Sequence, residues 1–144
     1  MKHFKTWRVL GTAPGSLGNI FAELFGGLMT NRAIVVPVTT VTYSAAPTLD
    51  AALGNDFVIT ITDNVAFVVA APLNPPPTGF AQDISITFRN AAGVAHGAGT
   101  WNAIFKTQAT VFPAIATGFS RTVFFRWNGT NWVELVRTAA DVAN

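Results

Sequence analysis

Two histidines, His3 and His96, and seven Asp and Glu residues are all the sequence offers for acid–base chemistry. The carboxylates fall singly along the chain. Asp50, Asp56 and Asp63 stand beside turn signals and strand ends, where Asp bonds its own backbone, rather than as a general acid/base pair. His96 lies in the glycine-rich stretch Gly93–Gly99 with no Asp, Glu or Cys close in sequence, and is expected to be a solvated loop residue. Cysteine is absent, which removes thiolate nucleophiles, disulfides and thiolate zinc sites. Gly93–Gly99 lacks the GxxxxGK[ST] spacing that cradles phosphate, and GxGxxG does not occur. Asn128-Gly129-Thr130 matches a glycosylation sequon but reads better as a β-turn. No catalytic, cofactor-binding or metal-ligating residue is assigned, and a non-enzymatic protein is expected. A hydrolase would need the fold to bring His96 against a carboxylate.

Aromatic residues are the remaining candidates for binding. Trp101, Phe125, Trp127 and Trp132 would anchor a core or a subunit interface, or stack on sugar rings if exposed. A nucleic-acid partner is not expected. The net charge is only +2, and Arg126 beside Trp127, with Arg137, is the one place where basic and aromatic residues meet.

Half of the 144 residues are apolar and 11% are charged, against about 25% in average proteins. That balance excludes a disordered chain. It also leaves few charges to coat a free monomer, so the chain is expected to bury much of its outside in a homo-oligomer. No run of about 20 apolar residues occurs, so no membrane partner is expected. Pro14, Gly15, Gly18, Glu23 and Gly26-Gly27 interrupt the apolar region that a signal peptide would need.

Charge divides the chain into an arm, residues 1–34, and a body, residues 35–144. The arm carries Lys2, Lys5, Arg8 and Arg32 against Glu23, while the body is close to neutral. Leu17, Ile20, Phe21, Leu24, Phe25 and Leu28 recur at helical spacing, which predicts a short amphipathic helix near 16–29 with Ser16 at its N-cap. So short a helix must dock to be stable. Lys2, Lys5, Trp7 and Arg8, with Leu17, Ile20, Phe21, Leu24 and Phe25, are therefore the expected partner contacts of the arm. Its own body and a neighbouring subunit are both open as the docking surface.

From Ala33 onward the period is two. Phe57, Ile59 and Ile61 alternate with Val58 and Thr60, and Ile84, Ile86 and Phe88 with Ser85 and Thr87, which predicts half-buried antiparallel strands with these apolar sets as core. Val35–Tyr43, Val65–Ala70, Trp101–Phe105, Thr122–Trp127 and Asn131–Arg137 read as further strands, separated by Gly, Pro and Asn turn signals. The fold class is all-β, an antiparallel, jelly-roll-like β-sandwich with a short N-terminal arm and helix. Asn128-Gly129 predicts a two-residue hairpin turn that sets Phe125 opposite Trp132 and Val123 opposite Glu134. Large apolar groups then occupy both hairpin faces, and the outer one needs a cover.

The body resembles a β-sandwich module that recurs in tailed-bacteriophage virion proteins, both head-decoration-like and tail-fibre-like. The resemblance rests on an ordered series: Thr48–Asn55 followed by Phe57–Thr62, Asn74-Pro75 before Ile84–Phe88, Thr100–Lys106, and Phe124–Trp132. It spans roughly residues 40–136 and leaves the arm outside. It implies a non-enzymatic structural or adhesive role in a virion, commonly as a homotrimer, and carries over no catalytic residue. A fibre would set a long shaft before such a module, whereas here only about 40 residues without heptads precede it. The expectation is a capsid decoration or cement protein. It would attach through its arm to the major capsid protein or another virion protein, with the capsid surface favoured over the tail. The alternative is a tail-fibre or receptor-binding component that recognises host glycan.

Overall fold

Period-two alternation becomes burial where strands can stack their apolar faces. Phe57, Ile59, Ile61, Ile84, Ile86 and Phe88 are all buried, as their spacing predicts. The computed structural model describes residues 37–96, 99–109 and 111–144, which belong to the body. The basic residues of the arm and the helix expected over 16–29 lie outside the described residues.

Among the described residues ten strands follow one another: β1 (Val38–Val41), β2 (Asp56–Ile61), β3 (Phe67–Val69), β4 (Asp83–Asn90), β5 (Gly99–Trp101), β6 (Phe105–Lys106), β7 (Val111–Phe112), β8 (Phe119–Trp127), β9 (Trp132–Arg137) and β10 (Val142–Ala143). The larger sheet runs β1-β2-β4-β8-β9-β6, with β10 also paired to β8, and the smaller runs β3-β5-β7. Rings seal the space between the sheets. Phe88 of the larger sheet lies 5.7 Å from Phe67 and 4.7 Å from Phe112 of the smaller. Gly99 is required here, because a Cβ at that position would stand 2.7 Å from the Phe67 ring.

The all-β sandwich is as expected, but its pairing is mixed rather than wholly antiparallel. β1, β2 and β4 are mutually parallel, as are β3 with β5 and β6 with β9. Alternation reports which face is buried and is blind to strand direction. Direction follows from the connections. The chain leaves β2, passes through β3 in the other sheet and returns as β4, a crossover that brings the two strands back parallel. The single strand expected over 101–105 is two short ones, β5 and β6, separated by a turn in which Asn102 Oδ1 accepts from the Ile104 N–H at 3.1 Å. Strands β7 and β10 are too short to leave a periodic signal.

The motif segments meet as structural joints. Asp50 caps the 3₁₀ turn Ala51–Leu53 by accepting from the Ala52 N–H at 3.0 Å, and both its oxygens accept from Asn74 Nδ2 at 3.0 Å. Asn74 sits at φ 47°, in the left-handed region that Asn tolerates. Gln82 Nε2 donates to the Ala51 carbonyl at 2.9 Å and to Asn55 Oδ1 at 2.8 Å. These joints fix the loops beneath β2 and β4.

The C-terminus is tied back by one carboxylate. Asp141 accepts from the Ala116 N–H at 2.9 Å and from Arg121 Nε at 2.5 Å, beside the pairing of β10 with β8. The Ala116 N–H first, then Arg121 and the nearby charge of His96, hold Asp141 below the usual carboxylate range. A carboxyl with a lowered folded pKa contributes stability above its unfolded pKa and loses it as pH falls through the lowered value. The protection of the Ala116 amide, its exchange relative to the intrinsic rate at each pH, should therefore be high near neutrality and fall as the pH drops below about 4. Asp141→Asn should remove that acid dependence.

Candidate functional site

The turn after β8 decides what the hairpin presents. Asn128 Oδ1 accepts from the Thr130 and Asn131 N–H groups, at 3.0 and 2.8 Å, and the Asn128 N–H donates to the Asn131 carbonyl at 3.1 Å. Gly129 takes the positive φ, 97°, while Asn128 does not. The loop is thus longer than the two-residue type I′ turn, which needs positive φ at both central residues. Trp127 pairs with Trp132 and Phe125 with Glu134, a correction to the register expected from Asn-Gly.

A β-bulge then shifts the register between Phe124 and Phe125, so that Phe124 faces Val136 and Val123 faces Arg137. One extra residue on β9 resets its alternation. Leu135 and Val136, adjacent in sequence, are both exposed, at 49% and 53%, next to Phe124 at 43%. Glu134 and Arg137 are brought together instead of falling on opposite faces. Burial alone would raise the pKa of Glu134, but the guanidinium of Arg137 and the Gln108 N–H, at 2.9 Å, hold it below its usual value. Arg137 bonds both carboxylate oxygens and rises in turn.

Phe124, Leu135 and Val136 form an outward apolar strip on the β8–β9 hairpin. A groove of about 290 Å³ runs beside it, lined by Asp56, Asp83, Ser85, Phe124 and Leu135 among others. Its rim is polar. Asp83 is paired bidentately with Arg126, at 2.6 and 2.7 Å, both half-exposed. This pair lowers the pKa of Asp83 and raises that of Arg126. In the groove wall, the Ser85 hydroxyl donates to Asp56.

The aromatics expected to serve an interface or a ligand are placed otherwise. Phe125, Trp127 and Trp132 are buried, and the two indoles pack at 5.2 Å. They belong to the core of the body, because their β8 and β9 positions face the smaller sheet's side of the sandwich. Trp101 is partly buried among Phe88, Phe105, Phe112 and Phe125. Arg126 is half-exposed and paired with Asp83, whereas Arg137 is drawn in by Glu134. His96 is buried, not a solvated loop residue, with its ring 5.7 Å from Phe67. The arm contacts Lys2, Lys5, Trp7, Arg8, Leu17, Ile20, Phe21, Leu24 and Phe25 lie outside the described residues.

The sequence reading missed Val136 as an outward residue. The adjacent pair Leu135-Val136 after Glu134 breaks period two, and that phase slip is the signal of the bulge. Among the described residues no group of three or more His, Asp or Glu is close enough to hold a metal ion. Among them, too, no helix is long and apolar enough to cross a membrane. Compared with family models, curated proteins and solved structures, the chain matches none.

Proposed function

We propose that this chain is a non-enzymatic structural protein of a tailed-bacteriophage virion, a capsid decoration or cement protein that assembles through its β body and attaches through its basic arm. The observation that carries this reading is the apolar strip Phe124, Leu135 and Val136, held outward by a bulge on a charge-poor body. A monomer gains nothing from turning two consecutive aliphatic side chains to water. A subunit gains a contact surface. The ordered motif series that resembles phage virion modules supports the setting. Its residues serve as joints, Asp50 to Asn74 and Phe105 beside Trp132, which suits a load-carrying scaffold.

In this reading three copies close around an axis with the strip in or near their contact, and Arg126 with Asp83 at its edge. Lys2, Lys5, Trp7, Arg8 and the apolar stripe of the arm engage the major capsid protein or another virion protein. The glycan-binding alternative now rests on Trp101, since Trp127 and Trp132 are buried.

Deleting residues 1–28 tests the division of labour. The truncated chain should fold and oligomerise as before, yet fail to co-sediment with phage heads that the full chain decorates. Attachment of the full chain should weaken with added salt, because exposed charges are screened over about 8–10 Å. Unfolding of the truncated body, or undiminished attachment, would contradict the reading. Binding to host glycans that Trp101→Ala abolishes would favour the tail component instead.

A further inference from the structure

The turn between β8 and β9 holds the only Asn-Gly pair of the chain. Asn128 is exposed, and the space that a Cβ on Gly129 would fill is open. Asn128 Oδ1 accepts from the Thr130 N–H at 3.0 Å and the Asn131 N–H at 2.8 Å. Both partners are donors, which fixes the acceptor as the oxygen of the side-chain amide. Reaching N–H groups two and three residues ahead folds this side chain forward over the Gly129 peptide. Among the described residues the Gly129 N–H and Asn128 Nδ2 donate to nothing. A carbonyl polarised by two amides thus lies next to a free backbone nitrogen and carries a free amino group.

We propose that Asn128 is a self-modification site, at which the Gly129 amide converts the side-chain amide to a mixture of aspartate and isoaspartate. The Gly129 nitrogen gives its proton to base and attacks Cγ, and the carbonyl electron pair moves onto Oδ1. The Thr130 and Asn131 N–H groups stabilise that charge as an oxyanion hole does. Collapse of the oxyanion breaks the Cγ–Nδ2 bond, Nδ2 leaves as ammonia, and a cyclic imide remains. Water then opens the ring. Cleavage at Cγ gives aspartate with the main chain intact, and cleavage at the Asn128 backbone carbonyl gives isoaspartate. Asn102 offers the comparison, since it too is exposed. Its Oδ1 receives a single N–H, that of Ile104 at 3.1 Å, and the next residue is Ala103, whose Cβ restricts the backbone that ring closure must bend.

The two products affect the hairpin differently. Aspartate keeps both N–H bonds at position 128 and makes them charge-assisted. Isoaspartate runs the main chain through an added methylene beside Trp127, whose pairing with Trp132 closes the hairpin. It therefore loosens the turn. Either product adds a negative charge to a chain of formal charge +2. This chemistry belongs to the turn alone and does not depend on the virion reading.

Incubating the purified full chain at mildly alkaline pH and mapping its peptides by mass spectrometry tests the proposal. In the same folded molecules Asn128 should convert roughly tenfold faster than Asn102, through the missing Cβ and the second amide donor. Isoaspartate should be among the products, because ring opening is what generates it. Conversion at Asn128 should be at least as fast in the folded chain as in the chain unfolded by urea, where the two donors are lost. A rate at Asn128 no greater than at Asn102, aspartate without isoaspartate, or a folded rate below the unfolded one would each overturn the proposal. The variant Asn128→Asp should unfold at the same urea concentration as the wild-type chain, and the separated isoaspartate form at a lower one. An isoaspartate form as stable as the parent would overturn the loosening of the turn.

Discussion

Glu134→Ala should lower the stability of the body by about 3–5 kcal/mol, the range for breaking one side of a buried ion pair. The Glu134 side chain is fully buried, Arg137 is 17% exposed, and the pair is bidentate with a third bond from the Gln108 N–H. Removing the carboxylate strands the guanidinium in a mostly dry place and frees the segment that follows β6. Truncation also undercuts the bulge, because the pair is what draws Arg137 inward and leaves Leu135 and Val136 outside. The double variant Glu134→Leu/Arg137→Met should recover much of the loss, since apolar replacement of both partners leaves no uncompensated charge. Urea unfolding of the variants measures this. Equal stability of Glu134→Ala and the wild-type chain would show that the pair is incidental to the hairpin.

How far the sequence reaches can be judged strand by strand. Phe57–Ile61 and Ile84–Phe88 declare themselves because one face of each is buried, and burial of alternate residues is what periodicity records. Their parallel direction does not show, because it is set by a crossover through β3 that leaves no mark on either strand. Asp50 reads correctly as a turn residue, a local matter, while its bond to Asn74 joins positions 24 residues apart. His96 misleads for the same reason. Its neighbours in sequence are glycine and alanine, but its neighbours in space include Phe67. At the hairpin the Asn-Gly signal locates the turn but not its length, because Asn128 bonds two amides beyond it. The register, and with it the outward strip, depends on those bonds and on Glu134 finding Arg137.

Phe124→Asp should dissociate the proposed trimer while leaving the body folded. Phe124 is 43% exposed in the single chain, so a carboxylate there is solvated in the monomer. In a contact that covers the strip the same carboxylate would be buried without a partner. A desolvation penalty of about 3 kcal/mol per contact weakens association roughly a hundredfold. Val136→Asp should act alike, whereas Arg126→Ala, at the rim, should change little, as exposed ion pairs are worth about 0–1 kcal/mol.

Sedimentation equilibrium of the purified chain at micromolar concentration tests the central claim most directly. The account predicts a species of three times the 15.3 kDa chain mass, little affected by salt because apolar burial holds it, and a monomer for Phe124→Asp. A wild-type chain that sediments as a 15.3 kDa monomer, or an oligomer indifferent to Phe124→Asp, would contradict it.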